Sequence, residues 1–113
     1  MDWKRTHLVK GWFSQTDRPE TAARLKLHRA GVIMIDCDLY SSTVDALAFC
    51  EPLIQERAVV FFDDWHSASL AAQGLGERRA FDEFIARHTD IDAEPFQSYS
   101  ESSVAFLLTR SRR

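Results

Sequence analysis

Carboxylate side chains follow two apolar segments of this sequence, and they are the residues whose types and spacing best suit chemistry. Asp36 comes directly after residues 32–35, and Asp63 and Asp64 come directly after residues 58–62. Both segments are short, apolar and rich in β-branched or aromatic side chains, which predicts buried strands. In an open parallel sheet, ligands bind beyond the carboxyl ends of the strands. We therefore expect both acidic ends at one edge of the sheet.

Three carboxylates at that edge would lie within several ångströms of one another, because neighbouring strands are about 4.8 Å apart. Carboxylates this close stay ionised only beside a cation or by sharing protons. Their oxygen atoms favour a hard divalent ion, Mg²⁺ first. The alternative is that Asp36 and Asp63 are helix caps or solvated loop acids. Two acidic strand ends in one small chain, one of them doubled, favour the metal site.

The remaining polar candidates near these ends are weaker. His66 lies two residues beyond Asp64 and could be a metal ligand, a base, a substrate contact or a solvated loop residue. Cys37 is too isolated to be a candidate nucleophile. Because neither Cys37 nor Cys50 lies in a C-x-x-C pattern, we expect reduced thiols and a cytoplasmic protein.

Strands that alternate with helices must position these residues. The patterns predict the following elements: an extended segment at 7–13, a helix from Thr21 to about Arg29, a strand covered on both faces at 32–35, a helix capped within Ser41-Ser42-Thr43 and shortened by Pro52, a strand at 58–62, a helix at 79–88, a weak strand within 90–100, a strand at 103–108 and a basic tail at 110–113. This β-α-β-α-β-α-β-β order predicts an α/β fold with a mostly parallel sheet.

Length and charge narrow the class of protein further. A chain of 113 residues allows one small domain, and its 45% hydrophobic content allows a core. The net charge of −3 argues against a nucleic-acid partner, whose binding domain would normally be basic. No apolar run approaches the roughly 20 residues that span a bilayer, so we expect no membrane partner. The first residues have no apolar stretch behind them, so no signal peptide is expected.

Four segments occur together in an order that resembles one known family. They are Val9-Lys10-Gly11-Trp12-Phe13 followed by Thr16, then Ile35-Asp36-Cys37-Asp38-Leu39-Tyr40-Ser41-Ser42-Thr43, then Phe62-Asp63-Asp64-Trp65, and finally residues 76–84 with Ala80 and Phe84. Together, over residues 7–109, they resemble the macrocin O-methyltransferase-like family of class I methyltransferases that depend on S-adenosylmethionine (SAM). The Asp-x-Asp-Leu-Tyr-x-Ser-Thr run is the most specific of them.

The resemblance implies a Rossmann-like sheet and methyl transfer from SAM to a hydroxyl of a small molecule, often a sugar of a natural product. It also implies a Mg²⁺ ion that holds adjacent substrate hydroxyls. Asp36, Asp63 and Asp64 then correspond to the metal ligands, and Asp36 is also the general base.

The resemblance suggests further contacts with cofactor and substrate. The segment Lys10-Gly11-Trp12-Phe13 would contribute to an adenine pocket, the alternative being that Trp12 and Phe13 pack in the core or at an edge. Tyr40 could touch the substrate or pack at the strand end. Trp65 could cover the acceptor from a rim loop.

The sequence departs from the family where SAM would bind. None of its four glycines follows an apolar strand in a Gly-x-Gly-x-x-Gly spacing. Residues 7–13 resemble the family's third strand, so residues 1–113 are expected to be a single partial domain, equivalent to strands three to seven. In the family's sheet order, 3-2-1-4-5-7-6, residues 7–13 would lack a neighbour and residues 32–35 would form an exposed apolar edge.

Such an edge predicts pairing with another copy or with a complementing chain, or poor solubility. Two other functions stay open at this point. One is a non-catalytic remnant that keeps the metal site but binds no SAM. The other is a different metal-carboxylate enzyme, such as a hydrolase, against which the Asp-Leu-Tyr-x-Ser-Thr run argues.

Overall fold

The structure is a computed structural model that describes residues 3–111. Its helices are α1 (Phe13–Thr16), α2 (Pro19–Arg24), α3 (Tyr40–Cys50) and α4 (Gly76–Arg87). Its strands are β1 (Val32–Ile35), β2 (Arg57–Phe62), β3 (Ile91–Phe96) and β4 (Val104–Arg110). Single-turn 3₁₀ helices lie at Trp3–Arg5, Glu51–Leu53 and Ser67–Ser69. No helix in this part of the chain is long and apolar enough to cross a membrane.

The four strands form one sheet in the order β1-β2-β4-β3, which is the 4-5-7-6 portion of the expected order. This confirms the α/β class. β1 and β2 are parallel and are joined through α3. β4 runs antiparallel to both β2 and β3. Among the described strands, β1, β2 and β3 therefore run in one direction and β4 alone is reversed, since the short loop between β3 and β4 permits only an antiparallel pair. The expectation of a mostly parallel sheet is confirmed.

β1 is an edge strand and is covered on one face only. Ile33 and Ile35 are buried, whereas Val32 is 71% exposed and Met34 is 57% exposed. The expectation of cover on both faces is wrong, since no described helix lies over the face that carries Val32 and Met34. The exposed apolar edge that the family's sheet order implied is confirmed.

The segment before β1 differs from its sequence-based prediction. Residues 6–12 form no strand, and α1 begins at Phe13. Within the described chain there is no neighbouring strand with which they could exchange backbone hydrogen bonds, and a strand without such bonds is not stable. α2 begins at Pro19, which suits the first position of a helix, rather than at Thr21. It ends at Arg24, before Lys26 adopts a φ of 56°.

The core lies between the sheet and the α3–α4 layer, and Phe62 is at its centre. Phe62 is fully buried, and its ring centroid is 5.0 Å from that of Phe81 and 5.1 Å from that of Trp65. α4 contributes Ala80, Phe81 and Phe84, all buried, at the helical spacing that the sequence predicted. This packing fixes α4 over the carboxyl end of β2, where Asp63 and Asp64 follow.

Arg110 is anchored, so the predicted basic tail is wrong at this residue. Arg110 is the last residue of β4, and its guanidinium lies 2.8 Å from Oδ2 of Asp90. The same guanidinium donates to the backbone carbonyls of Ile54 and Glu51, at 2.7 and 3.0 Å. Arg110 is therefore a structural residue. Residues 112–113 of the predicted tail lie outside the described residues.

Candidate metal centre

The register of β1 and β2 brings the two acidic strand ends together. Ile35 pairs with Phe62, and the backbone N–H of Asp63 donates to the carbonyl of Ile35 at 2.9 Å. Asp36 and Asp63 therefore leave the sheet side by side. One carboxylate oxygen from each of Asp36, Asp63 and Asp64 lies within 4.8 Å of the others. The predicted clustering is confirmed as geometry, while metal ligation stays a prediction.

Asp64 is a carboxylate whose ionised form is disfavoured by its surroundings. Burial raises its pKa to about 6, and hydrogen bonding to Asp38 and Asp36 and their negative charge contribute further. Its Oδ2 is buried without a hydrogen-bond partner. A buried carboxylate oxygen normally has a partner, and leaving it without one is costly. A proton or a cation would relieve this cost, and three carboxylates form an oxygen donor set that fits Mg²⁺.

Glu77 is a fourth carboxylate of the site, and the sequence analysis missed it. It is 1% exposed, and its Oε1 accepts the backbone N–H of Asp64 at 3.1 Å. Burial and the neighbouring Asp64 raise its pKa to about 7, while Oε2 has no hydrogen-bond partner. A signal was present in the sequence. Glu77 lies three, four and seven residues before Ala80, Phe81 and Phe84, on the buried stripe of α4.

Asp38 has a backbone conformation that shapes the turn after β1. Its φ is 49°, in the left-handed region that Asp tolerates better than most residues. The turn brings its carboxyl group within hydrogen-bonding reach of Asp64. The described site therefore holds five carboxyl groups, of which the sequence analysis assigned three.

Tyr99 is a third residue of the site, after Glu77 and Asp38, that was not predicted from the sequence. Its hydroxyl donates to Oδ1 of Asp63, and this hydrogen bond raises the Tyr99 pKa to about 12. The side chain is 52% exposed. Tyr99 lies in the loop between β3 and β4, where the sequence has no hydrophobic periodicity. No sequence signal pointed to it.

Two of the three candidate substrate contacts are engaged elsewhere. Tyr40 donates its hydroxyl to Glu83 of α4, and the Arg79 guanidinium lies 4.4 Å from the centre of its ring. Trp65 is 7% exposed and packs on Phe62, Phe81 and Phe106, so it is a core residue and not a rim residue. The prediction was wrong because Trp65 follows a strand end and was therefore assigned to an exposed loop. The surrounding aromatic rings bury its side chain instead.

His66, the third candidate, is exposed beside the site. Its backbone N–H donates to the carbonyl of Ser102 at 3.0 Å, which ties the turn after β2 to the loop that carries Tyr99. His66 lies two residues after Asp64 in the sequence, and its side chain is exposed to solvent. Its role as a ligand, a base or a substrate contact stays a prediction.

The predicted cofactor segment, Lys10-Gly11-Trp12-Phe13, lies on the surface. Trp12 is 78% exposed, so core packing does not account for it. Phe13 lines a cavity of about 190 Å³ whose wall also includes Asp36, Ile33 and Cys37. This cavity lies along the open side of β1 and reaches the acidic edge. The contribution of the segment to an adenine pocket stays a prediction.

Both cysteines are free and partly buried. Burial raises the pKa of Cys50 to about 12 and, together with nearby carboxylates, raises that of Cys37, although a hydrogen bond with Thr43 acts in the opposite direction. A thiol with a raised pKa is a poor nucleophile at neutral pH. The chemistry of this edge therefore rests on carboxylates.

Comparisons with known proteins show what this chain is similar to. The sequence model of the family described as Macrocin-O-methyltransferase (TylF) matches residues 1–97. A solved structure, described as the O-methyltransferase NovP, is similar with a TM-score of 0.65 and 26% identity, over 92% of this chain. The match spans 37% of the length of that structure. No curated protein sequence matches significantly.

Proposed function

This chain belongs to the macrocin O-methyltransferase family, and on that basis we propose that it supplies the metal- and acceptor-binding part of an enzyme that methylates a hydroxyl of a small molecule. The observation that carries the proposal is the cluster of Asp36, Asp63 and Asp64 at the carboxyl edge of the parallel β1–β2 pair. A sugar or another natural-product hydroxyl is the acceptor class that the family resemblance favours.

In this proposal Asp36, Asp63 and Asp64 hold Mg²⁺. When bound, the ion would lower the pKa of an acceptor hydroxyl that it coordinates. Asp36 is the general base that takes the hydroxyl proton. Its exposed side chain supports this role, because a base must reach the acceptor from the solvent side. The buried, unpartnered Oδ2 of Asp64 supports a cation at the cluster.

The methyl donor implied by the family is SAM, and we propose that this chain contributes only part of its site. The contribution would come from Lys10-Gly11-Trp12-Phe13 beside the cavity that reaches Asp36. None of the four glycines has the spacing of a nucleotide-binding turn. The chain alone would therefore bind Mg²⁺ but bind SAM weakly or not at all. A non-catalytic remnant with an intact metal site is the second candidate function.

We further propose that the open edge of β1 pairs with β1 of a second copy of this chain. The strand reads Val-Ile-Met-Ile, with no charge and no proline to discourage pairing. The large exposure of Val32 and Met34 supports this, because pairing would bring their apolar surface beside that of the partner. A cytoplasmic location is proposed as well, and the two free cysteines support it.

Calorimetric titration with Mg²⁺ tests the metal site. Wild type is expected to bind, and the double variant D63N/D64N is expected to lose binding. The variant D82N/D92N is the matched control, since it removes the same charge from exposed positions on α4 and β3. Absence of binding by wild type, or equal binding by D63N/D64N, would overturn the proposed site.

Titration with SAM, with and without Mg²⁺, separates the candidate functions. SAM binding by the chain alone would contradict the partial-site proposal. Mg²⁺ binding without SAM binding agrees both with a partial enzyme and with a remnant. Methylation of a hydroxylated acceptor after the rest of a family member's fold is added to the chain would support the enzyme, and failure to methylate would support the remnant.

A further inference from the structure

Tyr99 connects the loop between β3 and β4 to a proposed metal ligand. Its hydroxyl donates to Oδ1 of Asp63 and also lies 3.8 Å from the sulfur of Met34. Its ring packs on Phe61, with a distance of 5.9 Å between the ring centroids. Met34 and Phe61 are paired residues of β1 and β2, so Tyr99 lies across the two strands that present the carboxylates. Nothing in the proposed mechanism yet uses this residue.

The loop that carries Tyr99 is held in place by its own hydrogen bonds. The backbone N–H of Ser100 donates to Oγ of Ser103 at 3.0 Å, and the N–H of Ser103 donates to Oγ of Ser100 at 3.2 Å. The Ser103 hydroxyl also donates to the Ser100 carbonyl. The bond from His66 to Ser102 then joins this loop to the turn after β2. These hydrogen bonds fix the loop and thereby hold the hydroxyl of Tyr99 next to Asp63.

We propose that Tyr99 is a positioning residue for the metal site. Its hydroxyl engages Oδ1 of Asp63, which restricts rotation of the carboxylate and leaves Oδ2 available for the cation. Groups that hydrogen-bond to a metal ligand orient it in this way, and losing one commonly weakens metal binding about 10- to 100-fold. The inference rests on the proposed function, because it presupposes that Asp63 is a ligand.

The test compares the two tyrosines of the chain. Tyr99→Phe removes the hydroxyl but keeps the ring on Phe61. Tyr40→Phe is the matched control, because it removes a hydroxyl that donates to Glu83, which is not part of the carboxylate cluster. Mg²⁺ affinity is measured by calorimetry, and Mn²⁺ electron paramagnetic resonance reports the coordination of the bound ion.

We expect Y99F to bind Mg²⁺ about 10- to 100-fold more weakly than wild type, with an altered Mn²⁺ spectrum, and Y40F to bind like wild type. A purely structural role for Tyr99 would instead lower the metal-free melting temperature and leave the Mn²⁺ spectrum unchanged. Wild-type affinity in Y99F, or equal weakening in Y40F, would overturn the positioning role while leaving the metal site intact. Failure of wild type to bind Mg²⁺ would overturn the metal site itself and the positioning role with it.

Discussion

The side chain of Glu77 accepts the backbone N–H of Asp64 across 3.1 Å, which joins the first turn of α4 to the turn that follows β2. Both residues are acids with raised pKa values, about 7 for Glu77 and about 6 for Asp64. Each also has a buried carboxylate oxygen without a hydrogen-bond partner. This contact therefore positions a proposed metal ligand, and the nearby negative charge of Asp64 disfavours ionisation of Glu77.

Glu77→Gln should stabilise the metal-free protein at about pH 8. The amide oxygen can still accept the Asp64 N–H, while the buried negative charge is removed. Glu77→Ala would leave that N–H unsatisfied, and we expect it to be about 1–3 kcal/mol less stable than Glu77→Gln. Urea denaturation measures both variants. The exposed Glu94→Gln on β3 is the control, and a Glu77→Gln protein less stable than wild type would contradict this account.

The metal-free protein should lose stability as the pH rises. Asp64 and Glu77 have folded-state pKa values of about 6 and 7, above their ordinary values of 3.8 and 4.5. Between the ordinary and the raised values the folded state binds more protons than the unfolded state, so stability falls with increasing pH across this window. These two groups add no further change above the raised values.

Thermal unfolding followed by circular dichroism, from about pH 5 to about pH 8, measures this dependence. Glu77→Gln should reduce the slope, and saturating Mg²⁺ should reduce it in wild type. The same slope in Glu77→Gln as in wild type would show that the buried carboxylates are not its cause.

Phe62→Ala should be the most damaging single truncation in the core. Phe62 is fully buried and contacts the rings of Trp65, Phe81 and Phe106. Truncating a buried phenylalanine costs about 3–5 kcal/mol. Phe96→Ala is the matched control, since Phe96 is 52% exposed and should cost far less. If urea denaturation showed equal losses in the free energy of unfolding for both variants, Phe62 would not be at the centre of the core.

Val32→Lys should block association through β1. Val32 is 71% exposed on the edge strand, and a lysine there resists strand pairing by another chain. Analytical ultracentrifugation over a range of concentrations should show dimers of wild type and monomers of the variant. Thr89→Lys is a charge-matched control at an exposed position outside the sheet. A wild type that stays monomeric would exclude self-pairing and leave a complementing chain as the partner.

Short apolar runs and their acidic ends could be predicted from the sequence with good accuracy. β1 has the predicted bounds, and β2 starts one residue earlier than predicted. Their clustered carboxylates followed from strand order alone, because β-α-β units place consecutive strands side by side. α4 was predicted three residues short at its start, and that error removed Glu77 from consideration.

Other features depend on contacts that local patterns do not encode. Trp65 was assigned to a rim loop, but rings from α4 and β4 bury it. Tyr99 reaches Asp63 from a loop far along the chain, and Arg110 is fixed by Asp90. Residues 7–13 have strand-like character but no described neighbour, and hydrogen bonding to a neighbour decides whether such a segment becomes a strand.

The connections between the strands determine the order in which the strand pairs form during folding. β3 and β4 are joined by a short loop and can pair early, whereas β1 and β2 must wait until α3 closes the longer crossover between them. Asp36 and Asp63 meet only through that later pairing. In stopped-flow refolding, we therefore expect helical signal to recover before the protein regains the capacity to capture Mg²⁺, so that metal uptake reports the last step of the reaction.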